Sequence, residues 1–297
     1  MTDMISIPDT NRVPTGANAG NALELKADRI GKEMTTPPTR YSPLRIQLNR
    51  TARRLLWPRP AIYTPIGLMR RRGNVLSKSG ELFFCGYPRS GNTFARTAFL
   101  QANPGATLQS HRHIPPFVLH QVRAGVPGLI LIRRPLDAAI SWAIHENQTL
   151  EEAVAYWNDY YETLMPARSG LLVARFEDVT KDFGGVIEEF NAMWGTDYAR
   201  FDHTRENELK CFGETEDIQR ESEGKIIEMR VCRPSAQRRM VRDRVAERID
   251  DSSFLRAELM KANDLYDRFL GGTEVAAPLY ATEEVGALAQ YAEAVSR

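Results

Sequence analysis

Cysteine is scarce in this sequence, and one stretch of it contains no acid at all. Only three cysteines occur, Cys85, Cys211 and Cys232, and no two are closely spaced. That excludes a disulfide framework and a cysteine-based zinc site, and it suits a reducing compartment. No His-x-Glu-x-x-His pattern is present, so no metal is expected. No apolar run approaches the ~20 residues that a membrane span requires. The first thirty residues are polar and lack a continuous apolar run, so no secretory segment is expected. A cytoplasmic location follows, with peripheral attachment to a membrane as an alternative.

Acidic residues are missing from 41–80, which holds nine Arg or Lys and no Asp or Glu. Residues 1–40 balance five acids against five bases, and the whole chain carries only +1, so the remainder is net acidic. Global charge therefore singles out no partner, but its distribution marks a basic arm.

The 297 residues, 42% hydrophobic, suffice for one sizeable core with appendages. We divide them into a flexible N-terminal segment (1–40), a basic proline-containing arm (41–80), an α/β domain (81–272) and a C-terminal tail (273–297). The first segment is rich in Thr, Asn, Gly and Pro, with one short helical turn expected at Leu23–Ile30. In the arm, Leu44, Leu48, Leu55 and Leu56 fall near one face of a short helix, with Arg45, Arg53 and Arg54 around it. Three roles compete for it: packing on the acidic domain of its own or another subunit, contact with an anionic membrane surface or an acidic acceptor, and nucleic-acid binding. Nucleic acid is disfavoured, because no nucleic-acid module surrounds the charge.

The domain is organised around Glu81-Leu-Phe-Phe-Cys-Gly86-Tyr-Pro-Arg89-Ser-Gly91-Asn-Thr93. An apolar run enters a glycine-containing turn, and a helix-compatible run follows to Ala102. Gly86-x4-Gly91-x-Thr93 has the spacing of a phosphate-binding loop, with Asn92 where the usual Lys would stand. Amides in such a turn hold an anion, and Arg89 supplies positive charge within the loop.

Two more short apolar runs, Gly128–Arg133 and Gly170–Arg175, read as buried parallel strands. Helices are expected from Asp137, from Thr149 with capping-box spacing to Glu152, and over Asp182–Trp194, Ser235–Ile249 and Ser252–Leu270. The stripe Tyr156, Trp157, Tyr160, Tyr161 and Leu164 reads as core packing. His111–Pro116 reads as extended, Gln121–Val126 as a connection, and the polar stretch 202–232 as an irregular surface excursion. The fold class is thus α/β: a phosphate-loop-containing three-layer sandwich with a central parallel sheet flanked by helices. Ligands of such sheets bind at the carboxyl ends of the strands, where Gly86–Thr93, Arg133–Asp137 and Arg175–Asp178 all fall.

The chemistry comes from few residues. Arg89 and Arg133 with Ser141 make two anion-holding candidates, suiting a ligand with a charged group at each end of a nucleoside. His111 and His113 are two of only five histidines and lie between those segments. An imidazole there has the pKa to take a proton from an acceptor hydroxyl. Glu177 and Asp178 read as loop-anchoring groups rather than a catalytic pair.

These motifs resemble those of the cytosolic-type sulfotransferases that use 3′-phosphoadenosine 5′-phosphosulfate (PAPS). Tyr87-Pro-Arg-Ser-Gly-Asn-Thr-Phe94 is similar to the family's 5′-phosphosulfate loop, Tyr-Pro-Lys-Ser-Gly-Thr-Thr-Trp, in its Pro-Arg-Ser-Gly-Asn-Thr variant. Ile132-Arg133-Arg134-Pro135-Leu-Asp137-Ala-Ala-Ile-Ser141 resembles the second motif, Arg-Asn-Pro-x-Asp-x-x-x-Ser. His113-Ile-Pro115 resembles the His-Leu-Pro segment that carries the base, and Arg175-Phe-Glu-Asp178 the Arg-Tyr-Glu-Asp segment. The likeness spans about residues 81–270.

It implies PAPS as co-substrate, held by Arg89, Ser90, Gly91, Asn92 and Thr93 at the phosphosulfate and by Arg133 and Ser141 at the 3′-phosphate. His113 would be the base, with His111 as the other candidate and Arg89 serving the transferring group. The family's Arg-Lys-Gly motif is absent, and Arg233, or Arg238 and Arg239, would substitute for it. Arg for Lys at position 89 brings a planar fork of fixed charge in place of a proton donor. The implied acceptor is a hydroxyl of a small molecule, glycan or lipid, with an amine as an alternative. A small-molecule kinase and a non-catalytic nucleotide-binding protein are the competing readings.

Overall fold

A computed structural model of the chain describes residues 43–69, 80–110, 112–146, 148–224, 249 and 252–271. His111, Cys232, Arg233, Arg238 and Arg239 lie outside the described residues, as do the N-terminal segment, the tail and all but the last residue of the helix expected at Ser235–Ile249.

Two helices come first, α1 (Pro43–Leu56) and α2 (Pro60–Met69). Then follow β1 (Leu82–Gly86), α3 (Asn92–Ala102), the two-residue β2 (Leu108–Gln109), α4 (Pro115–Arg123), β3 (Gly128–Ile132), α5 (Pro135–Glu146) and α6 (Leu150–Leu164). A 3₁₀ turn, Met165–Gly170, leads to β4 (Leu172–Arg175), α7 (Phe176–Lys181), α8 (Phe183–Trp194), α9 (Arg205–Glu223) and α10 (Ser253–Gly271).

The four strands form one parallel sheet in the order β2-β1-β3-β4. Phe83 pairs with Gly128 and Gly86 with Leu131, and Leu129 pairs with Leu172. The side-chain period of two then divides the central strands between two cores. Phe83, Cys85, Ile130 and Ile132 join α4, α5, α6 and α10 on one face. Leu82, Phe84, Leu129 and Leu131 join α3, α8 and Phe201 on the other. A strand buried on both faces needs apolar residues at every position, which is why β1 and β3 are unbroken apolar runs. The architecture is an α/β fold with a central parallel sheet flanked by helices.

Local signals place several boundaries. The Thr149 hydroxyl accepts from the Glu152 amide at the start of α6. Asp182 caps α8 by accepting from Gly185, and Gly195, left-handed at φ 66, ends it.

Two expectations need correction. The stretch 202–232 is not irregular over its described part: Thr204 caps α9, accepting from Asn207, and α9 runs to Glu223. It buries Cys211 and Thr215 while its other face carries ion pairs such as Lys210 with Glu206, so its apolar stripe is too narrow to read from sequence. Gln121 is not a connection but lies inside α4, which begins on Pro115 and Pro116 directly after the extended Ile114. Proline is well suited to the first helical turn, where its missing N–H is not needed. The leucines of α1 fall on the outer face: Leu44, Leu48 and Leu55 are exposed, while Arg50 and Trp57 are buried.

The inward face of α1 brings charge to the domain. Asp159 on α6 is buried, and Arg53 and Arg50 reach it at 2.8 and 3.4 Å. Arg50 also meets Glu258 on α10 at 2.7 Å. Among the described residues no helix is long and apolar enough to cross a membrane.

Candidate functional site

Parallel pairing puts the carboxyl ends of all four strands at one edge of the sheet. From β1 the chain moves to β2 on one side, and from β3 to β4 on the other. The crevice between the ends of β1 and β3 is therefore a topological switch point. Residues 87–91 rise from β1 there, and Arg133 rises from β3.

Close packing starts the turn. A Cβ on Gly86 would stand 2.3 Å from the Leu131 carbonyl oxygen, so only glycine lets the two strands approach this way. Arg89 and Gly91 are both left-handed, at φ 67 and 90. Left-handed residues interspersed in a turn are what a backbone anion nest requires, and at Arg89 they are costly for a residue with a Cβ. Gly91 is the N-cap of α3 and brings no capping side chain to the first amides of that eleven-residue helix. The helix thus starts with positive ends of peptide dipoles directed at the crevice.

A side-chain amide braces the turn. The Asn92 amide donates to the Tyr87 carbonyl at 3.0 Å and is buried. Ser90 is fully buried beside the Tyr161 hydroxyl. Thr93 is half-buried in the first turn of α3.

The two arginines meet. Arg89 Nε donates to Ser141 Oγ at 3.2 Å across 52 residues of sequence. Arg133 Nη1 donates to the Arg89 carbonyl at 3.2 Å, and its guanidinium stacks 4.2 Å from the Phe176 ring centroid. Phe176 also backs Gly91, whose added Cβ would lie 3.2 Å from its ring.

His113 follows β2 and reaches the same edge. Its Nδ1 lies 2.9 Å from the Gly86 carbonyl oxygen. A carbonyl only accepts, so Nδ1 carries the proton and Nε2 is the basic nitrogen. The His113 backbone is left-handed at φ 41, and its own carbonyl accepts from the Tyr156 hydroxyl at 2.9 Å.

No protein-family model matches the chain, and no curated protein does. Among solved structures the chain is similar to mouse sulfotransferase SULT7A1 complexed with PAP. Identity is 15% and the TM-score 0.34, over 63% of this chain and 90% of that one. A likeness at that level carries no functional argument, and the case rests on the geometry.

Arg89, Arg133, Ser141 and His113 thus gather at one edge, together with Gly91 and the residues that brace the turn. What the sequence reading missed is the tyrosines of α6. Tyr161 donates to the Leu131 carbonyl at 2.9 Å and accepts from the Tyr87 amide at 3.3 Å, tying β3 to the turn after β1. Burial pushes its pKa far above the usual phenol range, so it stays a donor. Tyr87 in turn donates to the Ala153 carbonyl at 2.9 Å. The signal was the residue type: a helix stripe that needed only apolar bulk would be served by Phe, whereas buried tyrosines require partners.

Proposed function

We propose that the protein is a sulfotransferase that moves a sulfuryl group from PAPS to a hydroxyl acceptor, with an amine as the alternative. The observation that carries this reading is the meeting of Arg89, Ser141 and Arg133 at the β1–β3 switch point, with His113 suspended from Gly86 beside them. The turn with Arg89 serves as the phosphosulfate loop. Arg133 and Ser141 hold the 3′-phosphate; Arg233, or Arg238 and Arg239, which lie outside the described residues, are the candidates to replace the missing Arg-Lys-Gly segment. Asn92 cannot supply the ammonium that a triphosphate loop uses, and its amide is engaged with Tyr87, which favours sulfuryl transfer over phosphoryl transfer from ATP.

The acceptor oxygen attacks the sulfur of PAPS in line. A new O–S bond forms as the bond from sulfur to the bridging phosphate oxygen breaks. The acceptor proton goes to His113 Nε2, and the electron pair leaves with adenosine 3′,5′-bisphosphate. Arg89 and the amides of the turn meet the charge that grows on the transferring group and the departing phosphate. Phe176 keeps the Arg133 guanidinium oriented. The acceptor is a hydroxyl of a small molecule, glycan or lipid.

Titration calorimetry with adenosine 3′,5′-bisphosphate tests the nucleotide half. Arg133→Ala removes a charge-assisted contact of about 1.5–3 kcal/mol and should weaken binding roughly ten- to a hundredfold. Transfer of labelled sulfate from PAPS into a cell extract, followed by mass identification of the product, tests the chemistry. Absence of both binding and transfer would overturn the proposal, and Mg-dependent ATP hydrolysis would replace it with a kinase.

A further inference from the structure

We propose that Tyr156 is a positioning residue for His113, and that the basic helix α1, which lies outside the sulfotransferase-like part of the sequence, sets the base through it. The inference rests on the reading of His113 as the base, and its first readout requires no activity.

His113 has a backbone conformation that a side-chain-bearing residue rarely adopts, at φ 41. Such a conformation persists only where its surroundings impose it. Two contacts do so here. The ring is held by Nδ1 donating to the Gly86 carbonyl, and the main chain by the Tyr156 hydroxyl donating to the His113 carbonyl, each at 2.9 Å. The first selects the tautomer with a basic Nε2. The second keeps the backbone where the first can form.

Tyr156 is itself placed by the arm. Its ring meets Trp57 edge-on at 5.5 Å and Tyr87 at 5.3 Å. The Arg53 guanidinium lies 5.5 Å from the Tyr156 ring centroid and 5.7 Å from that of Trp57. Arg53 cannot drift, because its Nη2 pairs with the buried Asp159 at 2.8 Å, one turn along α6 from Tyr156. A continuous path of contacts therefore runs from Asp159 through Arg53 and Tyr156 to the backbone of His113. Residues 43–57 complete the support of a base that lies more than fifty residues further along the chain. Packing alone would be met by Phe at position 156. The hydroxyl is what reaches His113.

Tyr156→Phe isolates that hydroxyl, because the ring and its neighbours remain. Full-length protein with ¹⁵N-labelled histidine, with His113 assigned by its loss in His113→Gln, reports the imidazole tautomer directly. Wild type should show one tautomer protonated at Nδ1, and Tyr156→Phe a mixture. In sulfate transfer, kcat should fall on the order of tenfold to a hundredfold. The KM for PAPS and the affinity for adenosine 3′,5′-bisphosphate should not change. Arg53→Lys, which keeps a cation for Asp159 but loses the planar fork over Tyr156, should shift the same resonances in the same direction. It serves as the test variant should Tyr156→Phe fail to fold. Unchanged His113 resonances in the folded variant would overturn the inference, even where sulfate transfer is confirmed. If wild type transfers no sulfate, the catalytic reading fails separately, and the tautomer spectrum still decides whether Tyr156 positions His113.

Discussion

Buried hydroxyls and one imidazole set the geometry at the carboxyl edge of the sheet. Tyr161 links the ends of β1 and β3, and losing its hydroxyl leaves the Tyr87 amide and the Leu131 carbonyl without it. His113 stands apart from these as the group proposed to move a proton. His113→Ala should lower sulfate transfer by about 10²–10⁴-fold, the range for a lost general base, with bisphosphate binding by calorimetry unaltered. Equal turnover in that variant would shift the role to His111 or elsewhere. The two described thiols are poor nucleophiles: burial raises the Cys85 pKa, and burial with Glu214 and Glu208 pushes Cys211 up to about 12. Both stay protonated at neutral pH and pack as small apolar groups.

Between β1 and α3 the decisive element is the turn, and its tolerance is set by the strands beneath. Gly86→Ala would drive a Cβ into the Leu131 carbonyl, 2.3 Å away on the neighbouring strand. Backbone cannot step aside as a flexible side chain can. We expect a loss of about 1–3 kcal/mol in urea unfolding, typical of overpacking, together with weaker bisphosphate binding as residues 87–91 shift. A variant of wild-type stability and affinity would show that the strands do not approach so closely. The same turn was the most legible part of the site in sequence. Apolar run, glycine, arginine and helix lie within thirteen consecutive residues, so their order alone implies a strand, a loop and a helix start. β2 was illegible for the opposite reason: its two residues form a strand only because Leu82 and Phe83 are there to pair with Leu108 and Gln109.

Across the whole molecule, α1 is fastened to α6 and α10 by charge. Burial raises the Asp159 pKa, while Arg53 and Arg50 pull the other way. At Glu258 burial is outweighed by hydrogen bonds from Arg50 and Asn158, and its pKa falls below the ordinary 4.5. A carboxyl with a depressed folded pKa contributes stability that is fully present above its unfolded value and lost as pH falls through the folded one. Wild type should therefore be more stable than Glu258→Gln at neutral pH. That difference in Tm should hold down to about pH 4.5 and shrink below it. A difference independent of pH would mean that the charge of Glu258 contributes nothing to the docking of α1.

Short-range physics made part of this protein legible. Apolar runs, capping residues and helix-ending glycines act within a few residues, so the sequence by itself determined β1, β3, β4 and the starts of α6 and α8. Only the tertiary structure decided that Arg89 touches Ser141, that Tyr156 holds His113, that the leucines of α1 face outward, and that Arg205–Glu223 is helical. Each of these depends on a partner dozens of residues away or on a face too narrow to leave a periodic trace. Such partners are chosen by how helices pack on a sheet, and the buried Asp159 that Arg53 meets lies 106 residues away along the chain.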